Sequence, residues 1–262
     1  MSQEKIMLFI PAYNCEKQII RVLRSITPEI SSLFTEIVVV ENRSTDETID
    51  SIKEGLSEIT GCITTLLRND ENYGLGGSHK VAFNYAITNG YDYLIVLHGD
   101  DQGRISDFLS LLQNGDYKNY DCVLGSRFMN GSILHGYSKL RIFGNYFFNF
   151  LFSLVVHKKI NDLGSGLNLY KVDSLKIFDF EKYPDTLYFN DFMILASCHY
   201  HQKIKFYPIS WREEDQISNN KLVNFSISLL KMLWFYSVNR KQFFSQDHRI
   251  RIIDTYSSKK LL

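Results

Sequence analysis

Short apolar runs alternate with amphipathic stretches along the first hundred residues of the chain. Residues 6–10, 36–40, 62–67 and 93–97 are mainly apolar and have the length of a buried strand. Between them, apolar residues recur every three or four positions, as they do on one face of a helix. Strands that alternate with helices form βαβ units. We therefore expect an α/β fold in which helices flank a mostly parallel central sheet.

The run at residues 93–97 contains no polar break, which indicates a strand that is buried on both faces. A polar turn of His98, Gly99, Asp100, Asp101 and Gln102 follows it directly. Ligands of open α/β sheets bind beyond the carboxyl ends of strands, so the turn lies where a ligand is expected. An ordinary surface turn is the alternative interpretation, because Asp and Gly are common turn residues.

The two adjacent carboxylates of this turn, Asp100 and Asp101, repel each other and lose hydration when they are partly buried. A nearby cation would relieve both effects. Carboxylate oxygens suit Mg²⁺ or Mn²⁺, which usually share their coordination shell with substrate phosphates. The turn therefore predicts a divalent-metal site.

Three glycines, Gly74, Gly76 and Gly77, precede the helix that leads to the fourth strand. Backbone amides at such a helix start could bind a diphosphate. The spacing is not that of a P-loop, and a dinucleotide-binding loop would follow the first strand instead. Close packing of the helix against a neighbouring segment explains the glycines equally well.

Composition narrows the class of protein further. The 262 residues suffice for one α/β domain, with or without a C-terminal extension. The 29 Lys and Arg residues balance 29 Asp and Glu residues and are scattered, which argues against a nucleic-acid partner. Four widely spaced cysteines fit a reduced, cytoplasmic protein without a zinc site or disulfides. We expect neither a signal peptide nor a membrane-spanning helix.

Residues 222–238 form a largely apolar stretch, and at helical spacing one face of it carries Val223, Ile227, Leu230, Trp234 and Val238. Such a helix could lie in a membrane interface with nearby Lys and Arg facing lipid headgroups, or it could cover the sheet as a core helix. The tail beyond Phe244 is polar and charged and is expected to fray. The predicted division is a main α/β domain at residues 1–221 and a C-terminal helix and tail at 222–262.

The order of several motifs resembles that of glycosyltransferase family 2, whose members have the GT-A fold and invert the configuration of the transferred sugar. In the first half the motifs are Pro11-Ala12-Tyr13-Asn14, Glu41-Asn42-Arg43-Ser44-Thr45-Asp46 and the acidic turn at Asp100. Later motifs resemble the dolichol-phosphate mannosyltransferase-like branch: Gly125-Ser126-Arg127, Arg141 with Asn145, the stretch from Asp162 to Tyr170, and Pro208-Ile209-Ser210-Trp211-Arg212 with Lys221. The resemblance covers about residues 6–225.

The resemblance implies a role for each matching position. Contact with the nucleotide-diphosphate sugar would come from Pro11, Ala12, Tyr13, Glu16, Glu41, Asn42, Gly99, Asp100, Arg127, Arg212 and Lys221. Contact with the acceptor would come from Arg141, Asn145 and Ser165. Asp100 and Gln102 align with the metal-binding turn for Mg²⁺ or Mn²⁺. His98 replaces the first aspartate of that turn, and it would either ligate the metal or position the sugar.

The resemblance also implies transfer of a sugar to one of two kinds of acceptor. The preferred acceptor is a polyprenyl phosphate, which is already a nucleophile and needs no general base, so that catalysis is positioning and neutralisation of charge on the leaving diphosphate by Arg127 and by the metal that Asp100 binds. The alternative is a saccharide hydroxyl in cell-surface polysaccharide synthesis, with Asp191 as the general base. A lipid acceptor would bring the protein into peripheral contact with the inner face of the membrane.

Two further classes of protein are alternatives at the level of the sequence. A nucleotidyltransferase would share the expected sheet and the need for a metal, although no lysine-bearing glycine loop follows the first strand. A non-enzymatic binding module, whose metal site has decayed at His98, is the other.

Overall fold

An eight-stranded mixed sheet forms the centre of the computed structural model, which describes residues 4–213 and 222–262. The described strands are β1 (Ile6–Ala12), β2 (Glu36–Glu41), β3 (Ile63–Asn69), β4 (Tyr93–Leu97), β5 (Cys122–Ser126), β6 (Ile133–His135), β7 (Leu167–Lys171), β8 (Ile204–Pro208), β9 (Ser210–Arg212) and β10 (Ser258–Lys260). The main sheet has the order β10-β3-β2-β1-β4-β7-β5-β8, and β6 pairs separately with β9. Among these residues, four of the seven pairings in the main sheet are parallel. The predicted α/β class and mostly parallel sheet are confirmed.

Helices pack on both faces of the sheet. They are α1 (Glu16–Arg24), α2 (Pro28–Ser31), α3 (Thr48–Glu58), α4 (Gly74–Thr88), α5 (Leu109–Asn114), α6 (Lys139–Val156), α7 (Val172–Leu175), α8 (Phe189–His199), α9 (Leu222–Val238) and α10 (Arg240–Ser245), with short 3₁₀ helices at Ile105–Phe108, Asp116–Asn119 and Phe180–Lys182. Alternate residues of β1 enter two separate apolar clusters: Met7 and Phe9 face one, Leu8 and Ile10 the other. This alternation is the two-residue period of a strand that is buried on both sides.

The tail does not fray, so the expectation for the residues beyond Phe244 is wrong. β10 pairs antiparallel with β3 at the edge of the main sheet, and Tyr256 is buried. The Ser257 hydroxyl donates to Asp70 Oδ2 at 2.6 Å. Polar composition suggested disorder, but the polar groups of the tail have partners on a sheet edge that lies far away in the sequence.

α9 covers the predicted residues 222–238, and one of its faces packs on the core as the core-helix interpretation expects, while a membrane contact of the other face stays a prediction. Leu229, Leu233 and Tyr236 are buried against the core. The opposite face, which carries the five apolar residues from Val223 to Val238 named above, is exposed. In the described ranges 4–213 and 222–262, no helix has the length and apolar character needed to cross a membrane.

The glycines at the start of α4 pack against the segment that precedes α8. A Cβ atom on Gly74 would lie 2.4 Å from the carbonyl oxygen of Asp185, and one on Gly76 would lie 2.3 Å from that of Pro184. The Gly76 N–H also donates to the Asp185 carbonyl at 2.8 Å. These contacts support the close-packing explanation of the glycines, because a larger residue would displace this backbone.

Lys80, on α4, binds the same segment. Its side chain is fully buried. Its Nζ donates to the Tyr183 carbonyl and to Asp185 Oδ1 at 2.7 Å each, and to the Tyr256 hydroxyl at 3.0 Å. The Tyr256 hydroxyl in turn donates to the same Asp185 oxygen at 2.7 Å. A buried ammonium is tolerated here because each of its three donors has an acceptor.

Replacing Lys80 should therefore destabilise the protein strongly. Lys80→Met keeps the apolar stem but leaves Asp185 without its cation, and breaking a buried ion pair costs about 3–5 kcal/mol. The measurement is the free energy of unfolding in urea. The matched control is Arg24→Met, because Arg24 forms half-exposed ion pairs with Glu54 and Glu58, and this variant should lose far less stability than Lys80→Met. Equal losses in the two variants would contradict a structural role for the buried ammonium.

Candidate active site

The acidic turn after β4 lies against the end of β1. Pro11 and Ala12 are buried within β1, and Tyr13 follows with 47% of its side chain exposed. The Gly99 N–H donates to the Pro11 carbonyl at 3.1 Å. A Cβ atom on Gly99 would lie 2.9 Å from that oxygen, so a residue without a side chain allows the turn to reach β1.

Asp101 is the carboxylate whose charge the fold neutralises. It is buried and adopts a left-handed backbone conformation with φ of 61°. Arg21 Nε donates to its Oδ2 at 2.6 Å, and the Arg212 guanidinium contacts the same oxygen and donates to the Asp101 carbonyl at 2.8 Å. The predicted cation for this carboxylate is therefore a pair of arginines. Contact between Arg212 and a diphosphate stays a prediction.

Asp100 is the other carboxylate of the turn, and its contact with a metal stays a prediction. The pKa of Asp100 is raised to about 6, because burial and the charge of Asp101 together outweigh the opposing hydrogen bond from the Gln102 N–H. A cation next to Asp100 would favour its ionised form. In the described part of the chain, no three His, Cys, Asp or Glu residues are grouped as a complete metal site. The residues present fit Mg²⁺ or Mn²⁺ that takes further ligands from substrate oxygens.

His98 stays neutral beside this carboxylate. Burial lowers the pKa of His98 to about 4, and the charge of Arg127 adds to the effect. Its Nε2 is buried and has no hydrogen-bond partner among the residues that the structure describes. A neutral imidazole with an unpartnered nitrogen is the form that ligates a metal. His98 therefore fits the position of a third ligand, although its role as a ligand stays a prediction.

Arg127 forms a buried, two-point ion pair with Asp162. Its Nε and Nη2 donate to the two carboxylate oxygens at 2.8 Å each, and its backbone N–H donates to one of them at 2.8 Å. Burial opposes the charge of Arg127, but Asp162 outweighs burial and raises the pKa of the guanidinium above its usual value. The rings of Phe128 and Trp211 lie 5.1 and 5.0 Å from the guanidinium carbon. A direct contact between Arg127 and phosphate stays a prediction.

Two of the predicted acceptor residues are linked to Arg127 by hydrogen bonds. Arg127 Nη1 and Asn145 Nδ2 both donate to the Tyr137 hydroxyl at 3.3 Å, and Asn145 Nδ2 also donates to the Arg141 carbonyl at 2.7 Å. The Arg141 side chain donates to Glu213 at 2.8 Å. The third predicted residue, Ser165, points inward, since its buried hydroxyl donates to the Leu167 carbonyl at 3.2 Å. Lys221 lies outside the described residues.

The predicted nucleoside residues hold the loops after β1 and β2. Glu41 is fully buried and accepts a hydrogen bond from Arg68 Nε at 3.0 Å. Glu16 Oε2 accepts one from the Glu47 N–H at 3.1 Å. Asn42 Nδ2 donates to Asn72 at 2.9 Å, while its Oδ1 accepts from Asn69 at 2.8 Å and from the Tyr73 N–H at 2.9 Å.

Sequence reasoning assigned no role to three residues that build the site. Asp162 binds Arg127, Tyr137 joins Arg127 to Asn145, and Asn69 fixes Asn42. Asp162 is the first residue of a motif on which the family resemblance rests, so the sequence contained a signal that could have identified it as a site residue. Tyr137 and Asn69 offered none, because their importance lies in contacts between distant segments.

Asp191 lies near the start of α8 and is buried. Burial raises the pKa of Asp191 well above its usual value, and the negative charge of Asp162 adds to the shift. No ion pair joins Asp191 to a cation within the described residues. The ring of Phe189, two residues earlier, lies 5.2 Å from the ring of His79, which in turn lies 5.9 Å from that of His98. The His79 ring therefore lies between the start of α8 and the acidic turn.

This pKa shift predicts how Asp191→Asn changes stability with pH. A carboxyl group with a raised pKa in the folded state stabilises the fold fully below about pH 4, and that contribution is lost as the pH rises toward the folded-state pKa. Asn cannot ionise, so the melting temperature of the variant minus that of the wild type should increase from pH 4 to pH 8. The control is Asp173→Asn, because Lys176 lowers the pKa of Asp173 and the difference should drift slightly the other way. A difference for Asp191→Asn that does not change with pH would contradict a buried neutral carboxyl group.

Comparison with known proteins identifies relatives of this chain. It is 26% identical to a UDP-N-acetylglucosamine--dolichyl-phosphate N-acetylglucosaminyltransferase of Methanococcus voltae, over 68% of this chain and 73% of the relative. It is 22% identical to an undecaprenyl-phosphate mannosyltransferase of Micrococcus luteus, over 80% of this chain and 85% of the relative. Among solved structures, glucosyl-3-phosphoglycerate synthase from Mycobacterium tuberculosis, in complex with Mn²⁺, UDP and glucosyl-3-phosphoglycerate, matches with a TM-score of 0.64. That structure has 14% identity to this chain, and the match covers 89% of this chain and 80% of that one.

The structural likeness, at this low identity, shows a shared fold and confirms the GT-A architecture expected from the motifs. A family model described as glycosyl transferase family 2 matches residues 7–178, which is more than half of the chain and includes β1, the acidic turn and the Arg127–Asp162 pair. The chain therefore belongs to glycosyltransferase family 2 and is a glycosyltransferase.

Proposed function

We propose that the enzyme transfers a sugar, with inversion, from a nucleotide-diphosphate sugar to a polyprenyl phosphate, and that it needs Mg²⁺ or Mn²⁺. The observation that carries this choice of acceptor is an exposed apolar surface on two neighbouring helices. The names of two relatives support it, because each gives a lipid phosphate as the acceptor of that relative.

The surface is formed by α6 and α9, which pack against each other. On α6 the exposed apolar side chains lie at helical spacing: Leu140, Phe143, Tyr146, Phe147, Phe150 and Leu154. On α9 they are the five residues from Val223 to Val238. The Arg240 side chain joins the two helices by donating to the Val155 carbonyl at 3.1 Å. Exposed apolar surface of this extent marks a site of interaction with a lipid or a protein.

The charges around this surface favour an anionic lipid. Residues 139–161 and 222–246 contain no Asp or Glu. They contain seven basic residues, namely Lys139, Arg141, Lys158, Lys159, Lys231, Arg240 and Lys241. In the whole chain, by contrast, acidic and basic residues are equal in number. Arg141 is paired with Glu213, and the other basic residues of these two segments give the apolar helices the positive character that is typical of helices in the interface of an anionic membrane.

The state of Asp191 also supports a phosphate acceptor. A hydroxyl acceptor needs an ionised general base, whereas a phosphate is already an anion and needs none. The carboxyl group of Asp191 is buried, and burial raises its pKa well above the usual value, which disfavours the ionised form that a general base requires. In its protonated form it could donate a hydrogen bond to a phosphate oxygen.

The remaining residues would stabilise charge on the donor. Asp100, Gln102 and His98 would hold the metal, which when bound would neutralise charge on the leaving diphosphate. Pro11, Ala12, Tyr13, Glu16, Glu41, Asn42 and Gly99 would orient the nucleotide sugar at the ends of β1, β2 and β4. Arg127 would keep a positive charge near the phosphates while Asp162 fixes its direction. Catalysis then consists of positioning and electrostatic stabilisation.

Two variants test the acceptor. With a panel of UDP-, GDP- and dTDP-sugars, Mn²⁺ and a polyprenyl phosphate, we expect the wild type to form a glycosylated lipid phosphate. Asp191→Asn should keep its rate within about tenfold, because no proton has to be removed from the acceptor. Asp100→Asn should abolish transfer, because it weakens the metal site. If only saccharide acceptors react, and Asp191→Asn loses about a hundredfold or more, the hydroxyl mechanism with Asp191 as the base is correct instead.

Vesicle binding tests the surface. The protein should co-sediment with vesicles that contain phosphatidylglycerol, and binding should weaken in pure phosphatidylcholine or at high salt. Trp234→Glu, at a residue that is 67% exposed on α9, should reduce the partition coefficient by about tenfold or more. The control is Ile63→Glu, at an exposed position on β3, and it should bind like the wild type. A wild-type protein that stays in the supernatant would contradict membrane docking.

A further inference from the structure

A cavity of about 710 Å³ lies along one flank of α6. Five of its lining side chains are aromatic or aliphatic: Phe128, Tyr146, Phe150, Leu154 and Ile160. Three more, His157, Lys158 and Lys159, are basic and exposed. No Asp or Glu belongs to the lining. The volume lies within the range of about 300–1,000 Å³ that is usual for pockets that bind small molecules.

The cavity adjoins both the candidate active site and the exposed surface of α6. Phe128 follows Arg127 directly, and its ring lies 5.1 Å from the Arg127 guanidinium. The loop on the other side ends at Asn161, next to Asp162, the ion-pair partner of Arg127. Phe150 and Leu154 line the cavity and are 59% and 54% exposed. The cavity is thus lined by the chain neighbours of Arg127 and Asp162 on one side and by side chains of the exposed apolar face of α6 on the other.

The walls select for one kind of ligand. Aromatic and aliphatic walls favour a hydrocarbon chain, because each buried methylene group contributes about 0.8 kcal/mol. The basic residues, with no acidic side chain to balance them, favour a ligand that carries a negative charge. A molecule with both properties is an amphiphile that has an anionic head and a hydrocarbon chain.

We propose that this cavity holds the first isoprene units of the acceptor, a polyprenyl phosphate whose phosphate group lies on the Arg127 side. The inference rests on the proposed function, and it adds the place where the chain of the lipid binds. Continuity with the Arg127–Asp162 pair favours the reacting lipid over a bilayer phospholipid. Residues that line the cavity would then determine how well the enzyme binds the isoprenoid chain, independently of how well it binds a membrane.

The test uses the full chain and farnesyl phosphate in buffer without vesicles, below the concentration at which the lipid forms micelles. Calorimetry should show binding to the wild type. Phe150→Glu places a charge in the cavity wall and should weaken binding by about tenfold or more. The matched control is Phe143→Glu, because Phe143 lies on the same helix and is 71% exposed but is not part of the lining. It should bind farnesyl phosphate within about twofold of the wild type.

The outcomes separate this inference from the proposed function. If farnesyl phosphate accepts sugar but Phe150→Glu and Phe143→Glu bind it equally well, the chain lies elsewhere and the cavity assignment is overturned while the function stands. If dodecyl phosphate binds as tightly as farnesyl phosphate, the cavity takes any alkyl chain and the isoprenoid assignment is overturned. If farnesyl phosphate neither binds nor accepts sugar, the lipid-phosphate function itself fails. Unchanged melting temperatures confirm that both variants are folded, since both positions are exposed.

Discussion

The charge balance of the turn after β4 is the constraint on which the rest of the site depends. Two neighbouring carboxylates in a partly buried turn are unstable as a pair of anions unless cations accompany them. The fold pairs Asp101 with Arg21 from α1 and Arg212 from β9. These contacts tie the turn to two distant parts of the chain. The same interaction therefore both shapes the turn and compensates the charge of its buried carboxylate.

Arg127 and Asp162 form a second charge-compensating ion pair, on the side where the acceptor is predicted to bind. This pair also shifts the pKa values of neighbouring groups. Asp162 holds Arg127 by both carboxylate oxygens, and its negative charge also acts on Asp191 and favours the neutral form of that carboxyl group. Arg127 in turn helps to keep His98 neutral. Protonation in this part of the site therefore belongs to a group of interacting residues rather than to any one of them. This coupling explains how a buried cluster rich in ionisable groups contains few uncompensated charges.

The features that the sequence predicts well are those with a local cause. The strands β1 to β4 and the helix α9 were predicted from runs of apolar residues. The motifs around Asp100 and Arg127 were predicted from residues that are adjacent in the sequence. The sequence did not reveal which residues bind those motifs, because Asp101 lies 80 residues from Arg21 and 111 residues from Arg212. The exposed face of α6 was missed for a related reason: residues 139–156 are apolar on most sides, and such a helix is usually buried. The ordered tail was missed because only the distant edge of β3 gives its polar residues partners.

The contact of Tyr256 with Lys80 and Asp185 has a consequence for the order in which the enzyme matures during synthesis. Tyr256 lies 176 residues after Lys80 in the chain. At ordinary translation rates of about 5–20 residues per second, the two are made on the order of ten seconds apart or more. During that interval the Lys80 ammonium lacks one of its acceptors, and the segment leading into α8 lacks the tyrosine hydroxyl that binds Asp185. The nascent chain can therefore build the strands β1 to β4 and the acidic turn early. The segment that leads to Asp191 gains its last contact only after β10 has been made and joins the sheet edge.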